Sequence, residues 1–299
     1  MRRPADSTQS PAASPSRGRA ADFFELTKPR ITVLVLVTTM VGYYLGAEKL
    51  LSLLLVHTLL GTGLVAAGAS AFNMYLERSL DALMQRTRRR PLPAGRLQPG
   101  EALVFAALIS TAGMVYLYAL VNPLTSLLSA ITFISYIFLY TPLKTRTWLC
   151  TLIGAIPGAL PAAMGWAAAS GRLSAGAWIL FGIVFLWQLP HFYAIGWMYR
   201  DEYASAGFPM LPVLDATGGR TSRQASLYIL GLIGLSVLPS LAGMAGLVYL
   251  GGALAFGVLF LWFGVRFARA RDRLSARTLF FASIAYLPAV LLLMMADKR

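Results

Sequence analysis

Residues 61–93 read GTGLVAAGASAFNMYLERSLDALMQRTRRRPLP, an apolar run that ends in two acids and a dense block of arginines. The polar residues Asn73, Glu77 and Asp81 are spaced by four. On a helix each therefore advances by about 40°, and the three side chains share one stripe. Carboxylates next to guanidinium groups suit a divalent cation and a polyphosphate better than they suit packing. The spacing predicts a helix that carries a metal- and phosphate-binding face.

A magnesium ion is the natural occupant of this stripe. Glu77 and Asp81 can supply carboxylate ligands, and water and diphosphate oxygens can complete the octahedral shell. Four nearby arginines can donate bidentate hydrogen bonds to phosphate oxygens: Arg78, Arg86, Arg88 and Arg90. The alternative is a juxtamembrane helix with a cationic anchor. That alternative explains the arginines well, but it explains Asn73 and the two acids less well, because acids near the cytoplasmic leaflet gain nothing from topology.

The composition places the stripe in a membrane protein. Of 299 residues, 57% are apolar and 13% are charged, and the mean hydropathy is +0.65. Backbone in lipid must satisfy its hydrogen bonds within helices or a closed barrel, so we predict an all-α polytopic bundle. The single cysteine, Cys150, excludes an intramolecular disulfide. We place nine transmembrane helices at about 31–47, 50–72, 102–121, 124–140, 149–169, 175–198, 225–242, 246–268 and 278–296.

The distribution of basic residues predicts the orientation of the bundle. With nine spans, 22 of the 26 Lys and Arg residues fall on one side, and Lys49, Arg172, Lys298 and Arg299 fall on the other. The positive-inside rule then makes the basic side and the N-terminus cytoplasmic. The net charge of +14 is thus explained by topology, which argues against a nucleic-acid partner. We expect the lipid bilayer to be the partner instead.

The chain divides into a short tail and one membrane domain. Residues 1–20 are rich in Ser, Pro and Ala and have no apolar core, so we predict a disordered cytoplasmic tail rather than a signal peptide. Residues 21–299 form the predicted transmembrane domain. The Arg- and Ser-containing start leaves organelle targeting as an alternative. We favour a bacterial cytoplasmic membrane over the mitochondrial inner membrane.

A second polar constellation begins within the predicted sixth span and continues into the long loop after it, which lies on the basic side like the loop after Asn73. His191 lies within that span after Pro190, and an ionisable residue there is a functional candidate. It could bind a ligand's metal, accept a proton or donate a hydrogen bond; the alternative is a neutral histidine bonded to another helix. Asp201 and Glu202 are adjacent, so only one of them needs to face a metal.

These motifs together resemble the membrane-bound prenyltransferases of the UbiA superfamily, and within it the branch that farnesylates haem. The match begins at Thr27 and covers most of the chain. The motifs that carry it are Thr27-Lys28-Pro29-Arg30, Asn73-x-x-x-Glu77-x-x-x-Asp81, Arg86-Thr87, Arg90-Pro91-Leu92-Pro93, Tyr140-Thr141-Pro142-Leu143-Lys144, Gly154-x-x-Pro157-Gly158, and Trp187-Gln188-Leu189-Pro190-His191-Phe192 followed by Tyr203 and Pro209-Met210-Leu211-Pro212.

The resemblance implies a nine-helix bundle and transfer of a farnesyl group from farnesyl diphosphate to a vinyl carbon of protohaem. It implies Mg²⁺ as the cofactor, a first acidic motif at Asn73, Glu77 and Asp81 with its basic continuation at Arg86, Thr87 and Arg90, a phosphate-facing Lys144, and a second motif at Glu202 and Tyr203. With the residue reading above, we expect catalytic roles for Asn73, Glu77, Asp81, Lys144 and His191. We expect diphosphate contacts from Arg86, Thr87, Arg90 and Arg200, and metal binding by Glu77, Asp81, Asp201 and Glu202. Haem A synthase or a terminal oxidase assembly are the partners it suggests, and small-residue spans permit an oligomer without demanding one.

The sequence departs from the superfamily pattern in two places. Glu77 stands where relatives usually have Asp, and its longer side chain would shift a bound ion. The second motif lacks a paired Asp-x-x-x-Asp, since Ser205 and Ala206 follow Asp201 and Glu202 by four. The number of magnesium ions therefore stays open. Alternative functions are prenyl transfer to a quinone precursor or a chlorophyllide, and a transporter with a vestibule facing the cytoplasm.

Overall fold

The computed structural model describes residues 18–47 and 52–299. Most of the predicted tail and Lys49 lie outside this part of the chain. The helices are α1 (Arg19–Leu26), α2 (Pro29–Gly46), α3 (Leu53–Leu83), α4 (Pro99–Leu120), α5 (Pro123–Ile134), α6 (Thr141–Leu143), α7 (Cys150–Ser170), α8 (Ala175–Met198), α9 (Arg200–Ser205), α10 (Leu211–Leu214), α11 (Gly219–Leu235), α12 (Leu238–Leu241), α13 (Leu247–Ala270) and α14 (Arg273–Ala296). A π-helix, Ser135–Tyr140, joins α5 to α6.

Within these ranges nine helices are long and apolar enough to cross a membrane. This confirms the predicted all-α polytopic fold and its nine spans. The fourth span runs through α5, the π-helix and α6 as Pro123–Leu143, and the seventh runs through α11 and α12 as Gly219–Leu241. The largest difference is at α3, which continues to Leu83 rather than ending near residue 72. That extension places the polar stripe on the helix itself.

The sequence fixes several helix ends by local chemistry. Ser52 caps α3 by accepting a hydrogen bond from the backbone N–H of Leu55, and Asn122 caps α5 in the same way through Thr125. Proline opens α2, α4 and α5, where its missing N–H costs no helical hydrogen bond. Only Val121 and Asn122 separate α4 from α5, so these helices are antiparallel neighbours.

Helix α7 lies at the centre of the bundle and packs against α2, α5 and α8. Its glycines permit close approach: a Cβ on Gly165 would overlap the carbonyl oxygen of Thr39 on α2, and one on Gly154 would come within 2.5 Å of the Tyr140 ring. Gly158 packs in the same way against the side chain of Gln188 on α8. The small-residue motif of this span is therefore a packing surface in the structure.

The second half of the bundle is built from α8, α11, α13 and α14, which pack against one another. Alternating helix direction gathers the start of α2, the end of α3 and the end of α8 at one end. We call this the basic end, because the arginine-rich connections lie there. Helix α1 also lies at the basic end and begins at Arg19, so its first two residues fall within the predicted tail of residues 1–20.

Candidate functional site

The last turns of α3 bury a polar row in an apolar bundle. Asn73, Glu77 and Asp81 are 0%, 6% and 1% exposed, so helical spacing has turned all three inward. Burying an ionised carboxylate is costly unless it is paired and hydrogen-bonded. Each member of the row meets a basic side chain from a different segment of the chain, as follows.

Lys144 pairs with Glu77 from the end of the fourth span. Its Nζ donates to Glu77 Oε1 at 2.7 Å and lies 4.8 Å from the centroid of the Tyr140 ring. Burial disfavours the charged amine, but attraction to Glu77 outweighs it and holds the pKa of Lys144 well above its usual value. The π-helix that ends at Tyr140 comes shortly before this lysine, and such segments often occur at functional sites.

Arg90 pairs with Asp81 from the loop after α3. Its Nη1 donates to both carboxylate oxygens, at 2.8 Å and 2.7 Å. The buried hydroxyl of Thr87 donates to the backbone carbonyl oxygen of Asp81 at 2.8 Å. Thr87 therefore folds the arginine-rich loop back over the end of α3, and the loop carries Arg90 to the acid. The sequence predicts both residues as diphosphate contacts, and the structure places both beside the acidic row.

Lys28 completes the row and is absent from the predicted site residues. Its Nζ donates to Asn73 Oδ1 at 2.6 Å, and Asn73 Nδ2 in turn donates to Thr141 Oγ1 at 3.2 Å. Its backbone is left-handed, with φ +46°, directly before Pro29. Such a conformation is uncommon for a residue with a Cβ and points to a functional constraint. The signal in the sequence was a lysine in the first matching motif, on the basic side of the first span.

The amine of Lys28 can change its protonation state near neutral pH. Burial, and then repulsion from Arg90, lowers the pKa of this amine to about 7, against the attraction of Glu77. An anion arriving near Lys28 would favour the protonated form. This residue can therefore take up a proton together with a phosphate-bearing ligand.

Helix α1 holds the segment that carries Lys28. Arg96 donates from Nε to Asp22 Oδ1 at 2.7 Å and from Nη2 to Glu25 Oε2 at 2.9 Å. Leu26 is fully buried in a cluster that also includes Ala71 and Met74 of α3. Two ion pairs with the loop after α3 and an apolar contact with α3 itself thus hold α1 in place, and α1 ends two residues before Lys28.

The second predicted motif meets the first through Arg86. The Nη2 atom of Arg86 donates to the Tyr203 hydroxyl at 3.2 Å, and its guanidinium lies 5.5 Å from the Tyr199 ring centroid. Met84 from the first loop and Phe208 from the second also belong to one buried cluster. The structure therefore brings the two loops together at the basic end.

The acids of the second motif are not brought into the buried row. The Asp201 side chain is fully exposed, 3.8 Å from Arg200 Nε, and Glu202 is partly exposed on the short helix α9. Arg200 stacks over Trp197 at 4.5 Å. Among the described residues, no three or more His, Cys, Asp and Glu side chains form a group that could hold a metal.

His191 faces α14 rather than the acidic row. Its Nδ1 forms a 2.7 Å hydrogen bond with Ser283 Oγ, and its ring stacks on Trp187 with centroids 5.1 Å apart. Phe280 contacts the ring as well, at 4.9 Å. The ring nevertheless remains partly exposed. The hydrogen bond to Ser283 on α14 is the alternative role that the sequence left open. It occupies only Nδ1, so the other ring nitrogen can still contact a ligand.

The chemistry of the buried row fits a magnesium diphosphate. Mg²⁺ commonly takes only one or two protein carboxylates and completes its shell with water and substrate phosphates, so Glu77 and Asp81 suffice. Lys144, Arg90 and Lys28 add three cationic donors next to those carboxylates. The arrangement can therefore accept both a divalent cation and the oxygens of a polyphosphate.

Comparison with known protein families gives a match consistent with this geometry. A model of the "UbiA prenyltransferase family" matches residues 35–285. The protoheme IX farnesyltransferase of Solibacter usitatus (strain Ellin6076) is 49% identical over 287 residues, which span 93% of this chain and 98% of that protein. The protoheme IX farnesyltransferase of Opitutus terrae is 42% identical over 95% of this chain and 96% of that protein.

Solved structures share the fold at low sequence identity. A digeranylgeranylglyceryl phosphate synthase has a TM-score of 0.81 and 17% identity, covering 94% of this chain and 99% of the other. A UbiA homolog from Archaeoglobus fulgidus bound to GPP and Mg²⁺ has a TM-score of 0.69 and 16% identity, over 91% of this chain and 99% of the other.

We predict that the Glu77–Lys144 pair behaves as a buried unit. Lys144→Met should lower the free energy of unfolding by about 3 kcal/mol, because it leaves a buried carboxylate without a partner. The double variant Lys144→Met with Glu77→Gln should recover most of that loss. Thermal unfolding of the detergent-solubilised protein measures both.

Arg19→Met is the matched control for this prediction, because Arg19 pairs with Glu101 where both side chains are accessible. Its melting temperature should be close to that of the unchanged protein. If Lys144→Met were equally mild, the Glu77–Lys144 contact would not be a buried ion pair.

Proposed function

The chain belongs to the UbiA prenyltransferase family, and on that premise we propose that it transfers the farnesyl group of farnesyl diphosphate to a vinyl group of protohaem IX, giving haem O and diphosphate. The observation that carries the chemistry is the buried row on α3, in which Asn73, Glu77 and Asp81 each contact a different cationic side chain. The relatives named protoheme IX farnesyltransferase support the choice of acceptor.

The reaction requires an allylic carbon–oxygen bond to break heterolytically. The bonding electron pair leaves with the diphosphate, and the farnesyl chain becomes an allylic cation. The vinyl π electrons of protohaem then form the new carbon–carbon bond. Water adds to the resulting cation and loses one proton, which leaves a hydroxyethyl-type group. The negative charge that develops on diphosphate is where the protein can lower the barrier.

Lys144, Arg90 and Lys28 are placed to stabilise that charge. Their amines and guanidinium already lie within hydrogen-bond distance of the row on α3, and phosphate oxygens can replace the present acceptors. Mg²⁺, held by Glu77 and Asp81, would supply further neutralisation of the leaving group when bound. Asn73 orients Lys28 by accepting its hydrogen bond, while Thr141 fixes the asparagine amide.

The roles of Arg86, Arg200, Asp201 and Glu202 stay predictions. Arg86 lies on the same loop as Arg90 and donates a hydrogen bond to the Tyr203 hydroxyl. We propose that the Arg86 side chain closes over the bound substrate. Arg200 and Asp201 lie on the accessible face of the α8–α9 junction. Because Asp201 is fully exposed and Glu202 partly exposed, whereas Glu77 and Asp81 are buried side by side on α3, we propose Glu77 and Asp81 as the principal metal ligands.

We propose the acceptor side from the aromatic surroundings of His191. Trp187, His191 and Phe280 form an aromatic group between α8 and α14. A flat macrocycle can stack on such a surface, and the partly exposed imidazole can contact its iron or its vinyl edge. The acceptor and the diphosphate would then approach from the two halves of the bundle.

The nine candidate spans among the described residues make the chain a multi-pass membrane protein. We propose a bacterial cytoplasmic membrane with the N-terminus and the basic end in the cytoplasm, supported by the arginine distribution and by bacterial relatives. Both substrates are amphiphilic, so a site at the membrane interface can receive them from the bilayer. A haem A synthase or oxidase assembly would be the consumer of the product.

The test of the proposed function is mass spectrometry of haems from cells that make this chain. We expect a farnesylhydroxyethyl-substituted haem. Asp81→Asn should reduce it by roughly a hundredfold or more, because a charge-stabilising group at the leaving oxygens is lost. Asp272→Asn is the matched control: Asp272 caps α14 away from the row, and Asn caps equally well.

The same experiment distinguishes between the possible acceptors. Detection of a prenylated quinone precursor or chlorophyllide, with haem unchanged, would overturn the haem proposal in favour of that acceptor. Full product formation by Asp81→Asn would remove that residue from the diphosphate site.

His191→Ala should lower haem-product formation without weakening farnesyl diphosphate binding, since the imidazole lies away from the acidic row. The comparison is Ser283→Ala, which removes the hydrogen-bond partner of His191 but keeps its ring. Binding of each substrate to purified protein, measured separately, is the readout. Parallel loss of both substrates in His191→Ala, together with a lower melting temperature, would assign the residue to folding.

Lys28 predicts a pH dependence of substrate binding. Because its pKa is about 7, the amine is mostly charged below this pH and mostly neutral above it. Affinity for farnesyl diphosphate should fall about tenfold between about pH 6 and about pH 8, the loss appearing as pH rises.

Lys28→Arg provides the control, since a guanidinium keeps its charge throughout this range. The ratio of the two affinities should therefore change with pH even though the ionisation of the diphosphate is common to both. Parallel pH profiles would show that Lys28 does not titrate against the substrate.

A further inference from the structure

A second basic site lies at the basic end, between the start of α11 and the end of α13. It is an open groove of about 670 Å³, separate from the row on α3. The residues that line it are Thr217, Gly219, Arg220, Ser222, Arg223, Ser226, Val265, Ala268 and Arg271. Three arginines thus share one groove.

The three arginines carry charge that the described part of the chain does not neutralise. Within residues 18–47 and 52–299, none of Arg220, Arg223 and Arg271 pairs with a carboxylate. Asp215, the nearby acid of this segment, is buried and accepts from the backbone N–H and the hydroxyl of Thr221. Like charges held together repel, so the groove favours an anion.

Arg271 is held in place at a conformational cost. It ends α13 with φ +51°, in the left-handed region that usually belongs to glycine. Its Nε donates to the Ala268 carbonyl oxygen at 3.0 Å, and its Nη1 lies 3.8 Å from where a Cβ on Gly219 would stand. The guanidinium therefore lies next to the first turn of α11. A left-handed residue is a common way for a helix to end, and here it turns the chain from α13 toward α14.

An apolar surface continues from the groove toward the middle of the bundle. Leu227 and Leu230 follow Arg223 by four and seven residues, so they lie on the same face of α11. They are 57% and 50% exposed, and Val258 on α13, seven residues before Val265, is 62% exposed. A cationic groove above an apolar strip between two spans matches a phospholipid, which presents a phosphate above acyl chains.

We propose that this groove binds the headgroup of one anionic phospholipid, with its phosphate on Arg220, Arg223 and Arg271 and an acyl chain along Leu227, Leu230 and Val258. The bound lipid would join α11 to the α13–α14 turn and relieve the repulsion among the arginines. A free phosphate or a haem carboxylate shares the anionic chemistry but has no acyl chain to cover the apolar strip. The site is independent of the proposed farnesyl transfer.

The experiment compares lipids on the purified full-length protein in a neutral detergent. Phosphatidylglycerol should raise the melting temperature and remain bound in native mass spectrometry, whereas phosphatidylcholine should do neither. The triple variant Arg220→Gln, Arg223→Gln and Arg271→Gln should bind phosphatidylglycerol about tenfold or more weakly, because charge-assisted contacts to phosphate are lost.

The matched control is Arg266→Gln, Arg269→Gln and Arg277→Gln. It removes the same charge at the same end of the bundle from residues outside the groove; Arg266 and Arg277 stack on Trp262 and Phe281 instead. This variant should keep the affinity of the unchanged protein. Equal loss in both triple variants would overturn the proposal in favour of general attraction to anionic surfaces.

Two further arms complete the test. Inorganic phosphate or protohaem producing the same shift at the same concentration would contradict a lipid occupant. Arg271→Gly covers the case in which the triple variant fails to fold, because glycine tolerates the left-handed turn. It should melt at or above the temperature of the unchanged protein without lipid, yet gain less on adding phosphatidylglycerol. An undiminished gain would remove Arg271 from the site.

Discussion

The constraint on which the rest of the structure depends is the burial of two carboxylates and an amide on one helix of an apolar bundle. Glu77 and Asp81 are almost completely inaccessible, and a buried charge without a partner costs several kcal/mol. The partners come from segments far apart in the chain. Lys144 follows the fourth span and Arg90 lies in the loop after α3. The polar row thus positions the surrounding helix ends as much as those ends position the row.

The same pairs account for how a closed polar cluster can become a substrate site. A metal and a diphosphate bring one cation and several anionic oxygens. Each carboxylate can exchange its ammonium or guanidinium partner for the metal, and each basic side chain can exchange its carboxylate partner for phosphate. Every buried charge therefore still has a partner of opposite sign after the exchange. The unusual backbone near the row, a left-handed Lys28 and a π-helix before Lys144, shows where the fold is bent to bring the bases to α3.

The sequence predicted the parts of this arrangement that depend on local spacing. The nine spans follow from hydropathy, and the single stripe of Asn73, Glu77 and Asp81 follows from residues four apart on one helix. Which base meets which acid does not follow, because Lys144 is 67 positions from Glu77 and only packing joins them. Lys28 is missing from the predicted site for the same reason: its position next to α3 depends on how α1 packs against α3 and pairs with Arg96 in the following loop. The exposure of Asp201 could not be predicted either. Adjacent acids point in different directions, and the sequence does not say which face of α9 is buried.

The central claim is that the row on α3 exchanges its internal partners for a magnesium diphosphate. The most direct measurement is an experimental structure of the protein with Mg²⁺ and a non-hydrolysable farnesyl diphosphate analogue. The account predicts metal on the carboxylate oxygens of Glu77 and Asp81, with diphosphate oxygens on Lys144 and Arg90. Metal bound at Asp201 and Glu202, with the Glu77–Lys144 and Asp81–Arg90 pairs unchanged, would contradict it.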